Sequence, residues 1–476
     1  MMLNRVHKLL PVLVILLTLA GCKTLQTSIE SENRTVPASF GTKGDTASIA
    51  RINWKEYFAD KNLVALIDSA LRRNQELNIT RREIEILANE VRARKGEYLP
   101  FVDARIAAGV EKEGRYTRHG AVDENGEIMP GKRFPDPLAN YELGVFASWE
   151  VDIWRQLRNA KKSAALRYLA GAEGQNFLVT NLIAEIASSY YELIALDSKL
   201  NIIRQNIQIQ SDALQVVKQQ KDAAKLTQLA VNRFEAQLLN TTNLQYEIQQ
   251  QIIEAENRLC ALTGSFPRHI PRTTDVFNLS VSDSLEVGIP SQLLVNRPDV
   301  RKAELELAAA KVDVKVARAR FFPSFRIEGG LGFQSFNTAY LLDPESVLFG
   351  LAGDLVAPLV NRNAIIAEYN GATARQVQAV IDYERTILNA YVDVVNQVSL
   401  VDNLSKSYQT KFNESNILMQ SVSTSNSLFR SARADYLEVL LTQREALESR
   451  MELIEIKQEQ LIARVNIYRA LGGGWH

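Results

Sequence analysis

Apolar residues fall at steady sevens through the last forty positions of the chain, at Leu440, Leu447, Ile454, Leu461 and Tyr468. That spacing predicts a long helix with one greasy seam. The pattern stands earlier at an offset of 209, as Val231, Leu238, Gln245, Ile252 and Leu259, and the closing Asn466, Ala470, Leu471 and Gly473 fall on Asn257, Ala261, Leu262 and Gly264. Another heptad series, Ile186, Leu193, Leu200, Ile207 and Leu214, recurs at an offset of 201 as Ile387, Val394, Val401 and Tyr408, with Ser415 breaking the series and Val422 resuming it. The chain reads as one unit written twice.

In the first unit, residues 54–264, apolar positions from Leu63 to Leu87 follow helical spacing, and no proline occurs until Pro100. A helix over about 62–95 is expected. The period then becomes two: Val102, Ala104, Ile106, Ala108 and Val110 share one face, and so do Tyr141, Leu143, Val145, Ala147, Trp149 and Val151, with Phe146 the one exception on the polar side. These predict strands at about 100–112 and 140–152, each greasy on one face and wet on the other, with residues 113–139 as an exposed loop. From Arg155 to about Lys218 the pattern is helical without a proline, which would reach roughly 95 Å at 1.5 Å per residue. The chain should reverse at residues 219–222. A connector, 265–290, carries Pro267, Pro271 and Pro290; the second unit, 291–474, repeats the order with a helix from Arg297 to about Arg320, strands at about 323–336 and 346–357, and a second long hairpin.

Composition narrows the function classes. Fifty-five basic residues balance 55 acidic ones, so nothing points to nucleic acid. Residues 1–21 read as a secretion signal, with Arg5 and Lys8 before an apolar run too short to span a bilayer. It ends in Leu19-Ala20-Gly21-Cys22, which resembles a bacterial lipobox, so Cys22 is expected to be lipidated and residues 22–53 to act as a tether. Only Cys260 then remains, and no intrachain disulfide is available. His119, His269 and His476 are scattered, as are Met129, Met419 and Met451, and neither a phosphate loop nor a Gly-x-Ser-x-Gly elbow occurs. The expectation is therefore no enzyme, no cofactor and no metal site.

Four strands of about ten alternating residues, a lipidated start and charge-covered long helices fit an α+β membrane protein whose sheet spans the bilayer. A spanning sheet must close, and four strands cannot. Two copies would give eight strands, whose side chains nearly fill the bore, whereas three give twelve and leave a lumen. The reading is a trimeric twelve-strand barrel continued by a periplasmic helical coiled-coil tunnel.

Several short motifs carry a family resemblance. Trp54, Phe58, Asp60, Leu63, Ala70, Leu71 and Asn74, then Arg297-Pro298-Asp299-Val300 with Ala303-Glu304, Phe322-Pro323, Tyr436-Leu437 to Gln443-Arg444, and Ala470-Leu471-Gly472-Gly473-Gly474-Trp475 resemble the TolC-like outer-membrane efflux proteins. The lipobox makes the chain similar to their lipoprotein branch, the exit ducts of resistance-nodulation-division pumps. The resemblance implies a homotrimer in the outer membrane that passively conducts small molecules such as drugs, toxic compounds or metal ions, docked through a periplasmic adaptor to an inner-membrane pump. It also implies a gate near the start of the last helix, where the family often carries Leu-Asp-Ala-Gln. Here the run is Leu440-Leu441-Thr442-Gln443, so Leu441 stands in the aspartate's place, and Arg433, Asp435 and Glu438 are the charged candidates beside it. The turns at Lys225, Leu226 and Thr227 and at Arg430 and Ser431 lie where the family meets its adaptor. A type I protein secretion duct and a lipid-anchored structural coiled coil are the alternatives.

Overall fold

The structure is a computed structural model describing residues 31–41, 47–273, 286–431 and 433–475. The signal and Cys22 lie outside the described residues. Short α1 (Trp54–Tyr57) leads to α2 (Lys61–Arg73) and α3 (Gln75–Glu97). The sequence pattern predicts one helix here, but Asn74 breaks it with an extended ψ of 130°. Its side chain accepts from the Leu77 N–H at 2.9 Å and donates to the Leu262 carbonyl at 2.9 Å. A single amide thus caps a new helix and ties the bend to a distant one.

Strand β1 (Phe101–Glu111) follows Pro100. The expected loop at 113–139 carries structure of its own, with α4 (Arg118–Asn125) and a small hairpin of β2 (Glu127–Met129) and β3 (Lys132–Arg133). Strand β4 (Leu138–Val151) leads into α5 (Gln156–Asp222), 67 residues long. At 1.5 Å per residue that is about 100 Å. The reversal comes just after the expected place: α5 continues through 219–222, and Ala223 to Thr227 form the turn before α6 (Gln228–Leu262). The second unit adds α7 (Leu293–Asn296), then α8 (Pro298–Ala319), β5 (Ser324–Ser335), β6 (Val347–Val356), the 68-residue α9 (Asn363–Arg430) and α10 (Tyr436–Ala470).

The strands form one antiparallel sheet in the order β1-β4-β5-β6, so β1 and β6 are its open edges. Below it the helices make a wall. Helix α5 packs against α3 and α8 and, further down, against α6 and α10; α9 packs against α8 and α10. The wall therefore runs α3-α5-α8-α9 near the sheet and α6-α5-α10-α9 near the far tips.

The offset within the repeat is corrected by the helix ends. Helices α6 and α10 each have 35 residues, and Gln228 and Tyr436 open them 208 positions apart, not 209. The glycine that matches Gly264 is therefore Gly472. Both have positive φ, +64° and +86°, and a Cβ on either would sit 2.5 Å from a carbonyl oxygen, that of Arg73 or of Asn296. The long helices end at Asp222 and Arg430, again 208 apart, so the heptad offset of 201 is one heptad short. A seam repeating every seven residues looks the same after such a slip, and only capped ends fix its phase.

The expected tether is strapped to the body where it is described. Phe40 is buried and stacks on Tyr391 at 5.7 Å, Arg34 pairs with Glu304 at 3.0 Å, and Glu32 pairs with Lys311 at 2.5 Å.

Candidate functional site

Register makes the two sheet faces continuous across all four strands. Ala104, Val145, Leu331 and Phe349 form one row, and Val102, Ala147, Gly329 and Leu351 another, because each pairs with the next in the antiparallel ladder. Among the described residues, no helix covers this face: Ile106, Phe349 and Leu351 are each 83% exposed. The aromatics gather at its rims. On the helical side the Trp149 indole donates to the Tyr98 carbonyl at 3.1 Å, and Trp154 donates to the Pro323 carbonyl at 2.8 Å while stacking on Phe322. Phe336 and Tyr340 lie together at the other end. An apolar band between aromatic rims is what a bilayer selects.

The opposite face carries Asp103, Arg105, Glu142, Glu150, Arg326, Glu328 and Asp354, placed by the same register. Phe146, the exception in the sequence alternation, lies on this wet face. Its ring occupies space that a Cβ on Gly330 would need, at 2.5 Å, and the Arg105 guanidinium lies 4.7 Å from the ring centre. The glycines of β5 thus give a flat surface on which one aromatic ring lies down under a cation. Above, the β1–β4 connection folds over a cleft of about 230 Å³ walled by charged residues, among them Lys112 paired with Asp136 at 2.9 Å.

At the far tips the candidate residues come together. Arg433, Asp435, Glu438 and Leu441 are all exposed, while Val439 and Gln443 face inward on the same helix. The Arg433 N–H donates to the Leu428 carbonyl at 2.8 Å, closing the turn. Glu438 and Arg433 form no ion pair with each other among the described residues. Lys225, Thr227, Arg430 and Ser431 are exposed too, and Ser431 donates its hydroxyl back to the Ser427 carbonyl at 3.0 Å. Leu226 instead turns inward onto a cluster of Val217, Val231, Phe234, Phe429 and Val439, so the two hairpin tips share one small apolar core.

A polar side of the last helix went unread in the sequence. Gln443, Arg450, Lys457 and Arg464 also recur every seven residues, one heptad line beside the apolar seam. Gln443 and Lys457 are buried, Arg450 donates to Gln205 at 3.1 Å, and Gln460 donates to the Leu404 carbonyl at 3.1 Å. Burial, with Arg464 nearby, pushes the Lys457 ammonium below its ordinary range. Of the expected seam, Leu447, Leu461 and Tyr468 are buried, while Leu440 and Ile454 are half-buried. Among the described residues, no group of three or more His, Cys, Asp or Glu side chains could hold a metal, and no helix is long and apolar enough to cross a membrane.

Comparison with known proteins agrees with this geometry. A family model described as "Outer membrane efflux protein" matches residues 66–265 and 289–473. The chain is 25% identical over 466 residues to "Probable outer membrane lipoprotein SilC" of Salmonella typhimurium, covering 96% of each chain. It is 26% identical over 450 residues to "Solvent efflux pump outer membrane protein SrpC" of Pseudomonas putida, covering 92% of this chain and 91% of that one. Its fold matches the open state of the Neisseria gonorrhoeae MtrE outer membrane channel with a TM-score of 0.82 at 22% identity, over 94% of this chain and 98% of that one.

Proposed function

The chain belongs to the outer membrane efflux protein family, and from that premise we propose that three copies of it close into a duct through which small solutes leave the periplasm passively. The chain is the outer-membrane component of an efflux system. The observation that carries the trimer is the bare apolar face of a four-stranded sheet with two open edges. In lipid, an unpaired strand edge leaves backbone groups without partners, at several kcal/mol each on the order of the cost of an unmade hydrogen bond in hydrocarbon. Twelve strands remove every edge and keep a lumen. The wet face then lines the bore, and the helical walls continue it into the periplasm.

On this reading Cys22 anchors each copy through its lipid. Lys225, Leu226, Thr227, Arg430 and Ser431 meet a periplasmic adaptor that joins the duct to an inner-membrane pump. Arg433, Asp435 and Glu438, with Leu441, ring the lower mouth, where copies approach one another. The names of the relatives, a solvent pump component among them, support small solutes as cargo.

Outer-membrane preparations should contain a heat-modifiable trimer that gives discrete conductance steps in planar bilayers, and Arg433→Ala or Glu438→Ala should raise the conductance of the closed state. A chain that stays monomeric and conducts nothing sinks the duct. Closure unaffected by either substitution sinks the gate assignment alone.

A further inference from the structure

Phe146 stands at mid-strand on the wet face of the sheet, and most of its neighbours there are small. The ladder puts Asp103, Phe146, Gly330 and Gly350 in one row and Arg105, Gly144, Gly332 and Leu348 in the next. A Cβ on Gly330 would meet the ring at 2.5 Å and one on Gly144 would meet it at 3.1 Å, whereas one on Gly350 would meet nothing within 4 Å. The ring therefore lies with one face on a floor of bare backbone. Its other face is turned away from the sheet, with open space beside it.

That outer face is occupied by a side chain of the same chain. The Arg105 guanidinium lies 4.7 Å from the ring centre, within the range over which a π face attracts a cation. It is held loosely. The Arg105 side chain is 57% exposed, and its Nη1 stops 3.8 Å from Glu142 Oε1, too far for a hydrogen bond. That oxygen is buried and has no hydrogen-bond partner among the described residues. Arg105 thus has a second place to go: turning to Glu142 makes a charge-assisted hydrogen bond there and uncovers the ring.

The surroundings select the visitor. Among the residues that the ladder pairs on this face, Arg105 and Arg326 are the two cations, against six carboxylates. A closed bore focuses such an excess, concentrating cations and repelling anions. An aromatic face in that field suits a cation with an apolar surface, a quaternary ammonium above all.

We propose that Phe146 is a binding site for organic cations in the bore of the barrel, and that Arg105 is its resident cap, displaced onto Glu142 when a solute cation takes the ring. The site rests on the trimeric duct above, since only a closed barrel wraps this face around a lumen and sets three such rings at one level. One cation replaces another on the ring, so binding is weak and release fast, as passive conduction requires.

The test is the current through trimers of the full-length protein in planar bilayers, with benzyltrimethylammonium and benzoate as probes. In the parent, brief interruptions should grow with benzyltrimethylammonium and be absent with benzoate. Phe146→Leu, which changes no charge, should raise the blocking concentration about tenfold, and Phe146→Tyr should keep it near the parent's. Arg105→Gln should lower it, and by more than Arg326→Gln, which removes the same charge two rows from the ring. An unchanged blocking concentration in Phe146→Leu overturns the site. Benzoate interruptions that vanish in Arg105→Gln overturn the choice of cations and make Arg105 the binding group. Should Phe146→Leu not assemble, equal blocking of Arg105→Gln and Arg326→Gln overturns the proposal by itself. In each of these outcomes the parent still conducts and the duct stands; a parent chain without trimer or conductance overturns the duct and the site together.

Discussion

Arg297 is the residue whose chemistry decides most. Its side chain is 8% exposed and reaches four acceptors: the Asp299 carboxylate at 2.7 Å, Asp393 at 3.3 Å, and the carbonyls of Ala390 and Ala470 at 3.5 and 3.0 Å. One guanidinium thus joins the start of α8 to α9 and to the end of α10, and its planar fork suits several acceptors at once. Arg297→Leu should cost about 3–5 kcal/mol, the range for removing one partner of a buried pair, because Asp299 and the Ala470 carbonyl lose theirs. Denaturant unfolding of the detergent-solubilised protein would read this; a midpoint near that of the parent would mean the bonds are not needed. The motif was legible in the sequence as Arg-Pro-Asp-Val, with proline suited to the first turn. Its three-way staple was not, because Asp393 and Ala470 lie 96 and 173 residues away. Gly472 is a second decisive residue. With φ at +86° and the Asn296 carbonyl in the way of any Cβ, Gly472→Ala should destabilise by about 2 kcal/mol, combining left-handed strain with a close contact. The same unfolding measurement applies, and an unchanged midpoint would show that the helix end can shift.

At the scale of elements, the strap at residues 31–41 is held by charge as well as by Phe40. The hydrogen bond from Lys311 holds the Glu32 carboxyl at about 2, below its ordinary 4.5. A depressed carboxyl contributes its stability above the ordinary value and loses it as pH falls through the folded one. Hydrogen exchange at residues 31–41 should therefore speed up between pH 4.5 and about 2, after correction for the intrinsic rate. Lys311→Met should produce the same loosening at neutral pH. Protection that is flat across that window in the parent and intact in the variant would show that Phe40 alone pins the strap. Composition made this stretch look like a linker, since it lies in a segment, residues 23–50, rich in Ser, Thr, Gly and Lys; the anchors are single residues in a polar background, and no period betrays them. The strands were the opposite case. Their alternation is local, and the sheet keeps each predicted strand within two residues of its expected ends.

At the scale of the whole molecule, the two faces of the sheet must meet different solvents. Leu351 and Phe349 share the apolar face, Glu328 the wet one. A cysteine in place of Leu351 should react with a membrane-soluble photoreagent and resist a charged maleimide, whereas one in place of Glu328 should react with the maleimide through the bore. Equal labelling of both would mean that the sheet does not separate lipid from water.

The sequence by itself determined the elements and the duplication, because periods of two and seven are local and survive in any tertiary context. It determined the membrane face as well, since alternation assigns each strand residue to one side. It did not determine the phase of the repeat, because a heptad seam is unchanged by a slip of seven and only the capped helix ends fix the count. Nor did it show the break at Asn74, the lying ring of Phe146 or the polar line of Gln443, Arg450, Lys457 and Arg464 inside the wall. Those depend on which distant carbonyl, glycine or helix each side chain meets, and only the folded chain brings them together.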